Sequence, residues 1–251
     1  MNEQIQNSGR NILIAAIVAI GIIGGGFFAG NGFYRSRMAD RYVTVKGLSE
    51  KDVSADLAVW NLKIAATGDE LSSVQDKVEI DHAELMAFLE KSGIPKEEIS
   101  ARQVSVTDLM AQQYRSERAG ESRFIITSSV TVRSNDVNKM RELAGRTGEI
   151  IRKGLVLADD TGPSYIFTKL NEIKPAMIAE ATKNARSAAE QFAADSGSRV
   201  GKIRRAYQGV FSIEARDGSS IPSDGYMGDA NSRAIDKKVR VVSTVDYYLA
   251  N

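Results

Sequence analysis

The sequence contains no cysteine. That absence excludes disulfides, thiolate nucleophiles, zinc–thiolate sites and iron–sulfur ligation together, and with them the lipidated cysteine of a bacterial lipoprotein. It is compatible with an oxidising compartment. There is a single histidine, His82, which leaves little material for a transition-metal site or a Ser-His-Asp arrangement. Nor is there an excess of charge of either sign: 33 basic residues face 32 acidic ones, for a net charge of +1. Such a balance gives no field to draw a polyanion, so no nucleic-acid partner is expected. What is present is ordinary for a globular chain: 251 residues, 43% hydrophobic and 26% charged, enough to bury a core without cross-links. No short-period repeat is visible.

The first distinctive feature is a run without charge. Ile12 to Phe28 is mostly Ile, Ala, Val, Gly and Phe, about 17 residues, at the short end of what spans a hydrocarbon core of ~30 Å. Five nearby glycines (Gly21, Gly24, Gly25, Gly26, Gly30) are poor for a helix buried in a water-soluble protein. A cleaved signal peptide would also fit so short a run, but the small-x-small cleavage pattern is weak, with Phe27 three residues before a cut after Ala29. The reading taken is an uncleaved single-pass anchor that contacts the membrane through residues 12–29, within an anchor segment 1–34. Arg10 precedes the run and Arg35, Arg37 and Arg41 follow it, so a literal count of flanking cations would leave the body in the cytoplasm. Gly21 and Gly25 have the spacing that lets two membrane helices approach closely, and so do Gly26 and Gly30; Gly21 and Gly25 are candidate oligomer contacts.

Residues 35–251 alternate between strand and helix patterns, with a sub-boundary placed near Ser134. Tyr42 to Lys46 alternates at period two, and Asp56 to Thr67 puts Ala58, Trp60, Leu62, Ile64 and Ala66 on one face. Glu70 to Ser92 carries Leu71, Val74, Val78, Leu85 and Leu89 along one helical stripe, stopped by Gly93 and Pro95. An extended run from Ile99 to Tyr114, a charged loop from Arg115 to Ser122, and a strand with Phe124, Ile126, Ser128, Val130 and Val132 on one face make a hairpin. Asn135 is the expected cap of a second helix that turns Val137, Met140, Leu143, Ala144 and Ile150 inward. After an extended stretch at Tyr165 to Leu170, an alanine-rich third helix runs from Pro175 to Ser196 and ends at Gly197. Strands at Ile203 to Ile213 and Lys238 to Leu249 close the chain, with a long loop from Glu214 to Asp236 between them. The pattern predicts an α+β body: an antiparallel or mixed sheet with about three amphipathic helices packed on it.

The order and wording of these segments resemble the SIMPL-domain family of bacterial envelope proteins. Val43-Thr-Val-Lys-Gly-Leu-Ser-Glu50 with Ser54-Ala-Asp-Leu-Ala58 is similar to the family's opening strand and turn, although Ser54-Ala55 departs from its usual proline. Lys91-Ser-Gly-Ile-Pro-Lys-Glu-Glu-Ile-Ser100 resembles the segment that follows. The most specific stretch is Ala181-Thr-Lys-Asn-Ala-Arg-Ser-Ala-Ala-Glu-Gln-Phe-Ala193 with its exit Gly197-Ser-Arg-Val-Gly-Lys-Ile203. A valine-rich closing strand, Val239 to Val245, completes a resemblance covering roughly residues 41 to 250. It implies an α+β fold, a body in the periplasm of a protein held in the bacterial inner membrane, large closed homo-oligomers, and a role in envelope integrity or stress. It implies no catalytic residues.

The residues offer little chemistry of their own. His82, four residues after Val78, reads as a hydrogen-bonded boundary histidine more readily than as a pH sensor. Asp159-Asp160 and the loop acids Asp217, Asp224, Asp229 and Asp236 are the carboxylate clusters; they match no calcium-loop template, and Asp217-Gly218 and Asp224-Gly225 are common turn pairs. Gly197-Ser-Arg-Val-Gly-Lys202 is one residue short of a phosphate loop and leaves a helix where a phosphate cradle would enter one. No catalytic, cofactor or metal residue is assigned. The narrow alanine face of the third helix, with Ala181, Ala185, Ala188 and Ala189, suits close approach, either to the chain's own sheet or to another subunit. Ala181, Ala185 and Ala188 join Gly21 and Gly25 as oligomer-contact candidates. The expected function is non-enzymatic: a membrane-tethered homo-oligomeric envelope assembly, or else a binding or adaptor module that captures a ligand or partner with the 214–236 loop. An enzyme using the loop carboxylates ranks third.

Overall fold

The computed structural model describes residues 18–33, 41–111, 122–158, 162–218 and 228–250. The chain forms two compact units, neither continuous in sequence: 1–49, 178–210 and 241–251 in one, 50–177 and 211–240 in the other. Ser134, near which a boundary was expected, lies inside the second unit.

The larger unit is organised by a four-stranded sheet of order β3-β4-β2-β5, all pairs antiparallel. Its strands are β2 (Leu57–Gly68), β3 (Gln103–Asp108), β4 (Phe124–Ser134) and β5 (Ser164–Ile166). The alternation of β2 is realised: Ala58, Trp60, Leu62 and Ile64 are all buried, and Trp60, Leu62 and Ile64 stand opposite Val132, Val130 and Ser128 of β4. Onto this face pack α2 (Leu71–Lys91), through Leu85, Phe88 and Leu89, α3 (Val137–Gly145), through Met140 and Leu143, and α4 (Thr147–Arg152), through Ile150. Burying each of these large side chains contributes about 1.5–3 kcal/mol relative to leaving it in water. Gly93 takes φ +77°, as the turn that ends α2 requires.

Three expectations are corrected here. The helix after β4 is capped by Asp136, not Asn135: β4 continues to Ser134, and the Asp136 carboxylate accepts from the Lys139 backbone N–H at 3.0 Å. That helix is also two short ones, broken at Arg146 (φ −101°, ψ 5°) between Gly145 and Gly148, the residues least able to hold helical backbone. The 214–236 loop is partly regular, with β7 (Ser212–Ala215) at its start and α6 (Gly228–Arg233) near its end; residues 219–227, including Asp224, lie outside the described residues.

The smaller unit holds α1 (residues 18–33), part of β1 (Tyr42–Ser54), β6 (Arg199–Gln208), part of β8 (Asp236–Ala250), and most of α5 (Leu170–Asp195). The strand order is β1-β8-β6, with β7 also pairing β8. β6 is antiparallel to β8. So is β1: Arg41 carbonyl accepts from Leu249 N–H, Thr44 bonds Asp246, Glu50 pairs with Arg240, and Ser54 bonds Asp236, so one strand ascends as the other descends. β1 runs eight residues past the expected Lys46 because β8 supplies a long partner.

The helix α5 begins at Leu170, five residues before the proline expected to open it, and Pro175 stands inside it. Its alanine stripe lies on the sheet. Ala181, Ala185 and Ala189 are 0% exposed; Ala185 and Ala189 pack with Val45, Val245 and Tyr247, while Ala188 is half-buried at the edge of the same cluster. Close approach is set by Gly47: a Cβ there would overlap the Ala181 carbonyl oxygen and lie 2.5 Å from the Ala185 nitrogen.

Candidate functional site

The apolar side chains of α1 are exposed. Ile20, Ile22, Ile23, Phe27, Phe28 and Phe33 are exposed, Phe28 by 77%, and nothing lies within 4 Å of a Cβ built at Gly21 or Gly25. Among the described residues no helix is long and apolar enough to cross a membrane. Residues 12–17, the first part of the expected span, lie outside them.

The loop acids converge only in part. In the larger unit, Arg141, Tyr165, Ala215, Asp217, Arg233 and Asp236 line a cavity of about 370 Å³. Its walls are set by backbone bonds: Ala55 N–H to Ile235 carbonyl at 2.8 Å and Arg216 N–H to Asp236 carbonyl at 3.0 Å. Both acids are occupied by one guanidinium, since Arg216 bonds Asp217 at 3.0 Å and pairs with Asp236 at 3.3 Å. The hydrogen bond from Arg216, and its charge, hold the Asp217 carboxyl below its ordinary value. A carboxylate held down in this way is a poor general acid. Asp159 and Asp160 lie outside the described residues; Asp229 falls within α6. Among the described residues no group of three or more His, Asp or Glu is arranged to hold a metal.

Lys237, on β8 beside this cavity's wall, is a buried cation that sequence reading missed. Its ammonium donates to the Asn231 carbonyl at 2.7 Å, tying α6 to the strand, and burial pulls its pKa down. The period-two pattern of β8 gave the signal, since it puts Lys237 on the same face as Val239 and Val241.

His82 is half-buried on α2, and its Nδ1 is buried without a hydrogen bond. Burial first, and then the neighbouring Arg102 cation, lower its pKa, with Glu79 opposing. Arg102 in turn bonds the buried Ser128 at 2.8 Å and Glu79 at 2.6 Å, clamping α2 to β4. The residues around His82 therefore hold an imidazole neutral and fasten two elements together. They form no nucleophile–base pair.

With this geometry set out, comparison with known proteins is informative in one respect. The SIMPL family profile, described as a protein of unknown function (DUF541), matches residues 43–247. The chain belongs to the SIMPL family. The match begins in β1 and ends in β8, so it takes in both units and leaves α1 outside. No curated protein matches the chain. A solved structure described as a hydrolase from Listeria innocua is similar at 11% identity over 77% of this chain and 90% of that one, with a TM-score of 0.22, too low to carry an argument about fold or activity. The resemblance read from the motifs at 43–58, 91–100 and 181–203 thus identified the family.

Proposed function

We propose that this SIMPL protein is a non-enzymatic, membrane-tethered component of the bacterial envelope, anchored in the inner membrane by its N-terminal helix, with a periplasmic body that assembles into a homo-oligomer serving envelope integrity or stress resistance. The observation that carries the tether is α1. A helix that exposes isoleucine and phenylalanine around its circumference suits hydrocarbon and is unfavourable in water. In the sequence the uncharged run extends from Ile12 through Phe33, which as helix is about 33 Å and matches the hydrocarbon thickness. The non-enzymatic reading is supported by Asp217 and Asp236, which are both paired with Arg216. Ala181 and Ala185 are occupied within the unit, so Ala188 and the anchor glycines Gly21 and Gly25 are the contacts through which subunits would meet.

The test is light scattering after size exclusion, on the full chain in detergent and on a truncated chain starting at Arg41. A large discrete mass for both supports assembly through the body. Monomers for both would overturn the assembly reading.

The cavity favours a second reading, a binding module. Arg141, in the lining of a cavity of about 370 Å³ whose acids Asp217 and Asp236 are taken by Arg216, suits a small anionic ligand. Arg141→Ala should then abolish binding in a calorimetric screen of such ligands without lowering the melting temperature.

A further inference from the structure

The two sides of the β1-β8-β6 sheet differ sharply. One side is covered by α5 and holds Val45, Gly47, Val245 and Tyr247. Alternation puts Tyr42, Thr44 and Lys46 of β1, and Thr244, Asp246 and Tyr248 of β8, on the other. In β6 the register slips between Ile203 and Arg205, so Ile203 stands opposite Tyr247 and Arg205 opposite Asp246. One extra residue in a strand lets neighbours share a face. Here it serves two consecutive arginines: the Arg204 guanidinium lies 4.1 Å over the Tyr42 ring, and that of Arg205 lies 5.6 Å over the Tyr207 ring. Tyr42, Tyr207 and Tyr248 are all exposed.

Charge is segregated in the same sense. The strand segments of this unit carry Lys46, Arg199, Lys202, Arg204 and Arg205 against one acid, Asp246, and that acid accepts from the Thr44 hydroxyl at 2.7 Å. The acids Glu180, Glu190 and Asp195 are on α5, where Glu180 accepts from Ser49 and Glu190 pairs with Arg186. A nearly neutral protein thus presents one locally cationic, tyrosine-bearing sheet face. Guanidinium groups bond phosphate, and tyrosine, with an apolar ring and a polar tip, is at home at the level of lipid headgroups.

The tether supplies the second constraint. In the sequence Phe33, the last described residue of α1, and Tyr42, the first of β1, are nine residues apart, which limits their separation to about 31 Å. Over that distance a weak surface becomes effective, because docking is intramolecular.

We infer that the outward face of the β1-β8-β6 sheet docks on a bilayer surface bearing anionic phospholipid headgroups, with Arg204 and Arg205 as the phosphate contacts and Tyr42, Tyr207 and Tyr248 as the interfacial residues. The inference rests on the membrane-anchor reading of α1. Docking would fix the orientation of the body on the membrane, where the anchor alone fixes only its distance.

The full chain, reconstituted into vesicles of phosphatidylcholine alone or with about one-third phosphatidylglycerol, tests this by hydroxyl-radical footprinting. Reactivity at Tyr42, Tyr207 and Tyr248 is expected to fall about fivefold in the anionic vesicles only, and to recover at about 0.5 M salt. Phe192, exposed on α5, stays reactive throughout and serves as the internal reference. Arg204→Gln with Arg205→Gln should weaken docking about thirtyfold and restore the tyrosine signal. Equal tyrosine reactivity in both vesicles, with the chain floating with them, would overturn docking and leave the anchor intact. A chain that floats with neither overturns the anchor reading, and docking with it. The same protection by soluble polyphosphate without vesicles would overturn the assignment to lipid.

Discussion

At the scale of single residues, two glycines that look alike in the sequence have opposite roles. Gly47 stands where β1 meets α5, and a methyl group there would collide with backbone that cannot swing aside. Gly47→Ala should therefore destabilise the protein by about 1–3 kcal/mol, measured by urea denaturation. Gly148, inside α4, has open space around it, so Gly148→Ala should stabilise by about 0.5–1 kcal/mol through helix propensity. His82 makes a prediction in pH. Its folded pKa is lowered, so the unfolded chain takes up the proton first; stability is complete above about pH 6.5 and falls as pH drops below it toward the folded value. Thermal unfolding between about pH 7.5 and 5 should show this slope. It should be absent in His82→Asn, whereas a slope unchanged by that substitution would assign it to other groups. The carboxylates Glu79, Asp108 and Asp217, all held low by arginine partners, lose their contribution only at more acid pH.

At the scale of elements, local chemistry fixed types better than limits. The stripe of α2 and the alternation of β2 and β4 were legible because each buries one face against a single sheet, and the burial period equals the structural period. The cap of α3 was placed one residue early because both Asn135 and Asp136 can cap, and the choice falls to where β4 stops pairing. Asp136→Ala should cost about 1 kcal/mol of stability and Asn135→Ala close to none, a contrast that denaturation of the two variants measures directly. The start of α5 was misplaced for a related reason. Pro175 weakens the bonding of its own turn but does not stop the residues before it from being helical.

At the scale of the whole molecule, each unit is assembled from separated segments, and the chain passes between them within β1, α5 and β8 and once between β6 and β7. Where the division falls inside a regular element it carries no glycine- or proline-rich marker, so no composition shift shows it. The prediction proper to this scale concerns α1. Removing residues 1–40 should shift the protein from the detergent-requiring to the aqueous fraction in phase partitioning, without loss of the melting transition of the body. Continued partitioning into detergent would place the membrane affinity in the body.

The sequence by itself determined the family, the α+β class, the identity of the sheet residues that form the core, and the absence of cysteine chemistry, because these depend on composition, on periodicity and on motifs local in the chain. Only the tertiary structure decided what the local patterns were for. The alanine face of α5 became an intrachain contact because Gly47, more than a hundred residues away, gives it room. Asp217 and Asp236 became neutralised partners of Arg216 because β7 and β8 pair. Arg204 and Arg205 came to share one face because a bulge in β6, invisible to a period-two reading, added one residue to the strand.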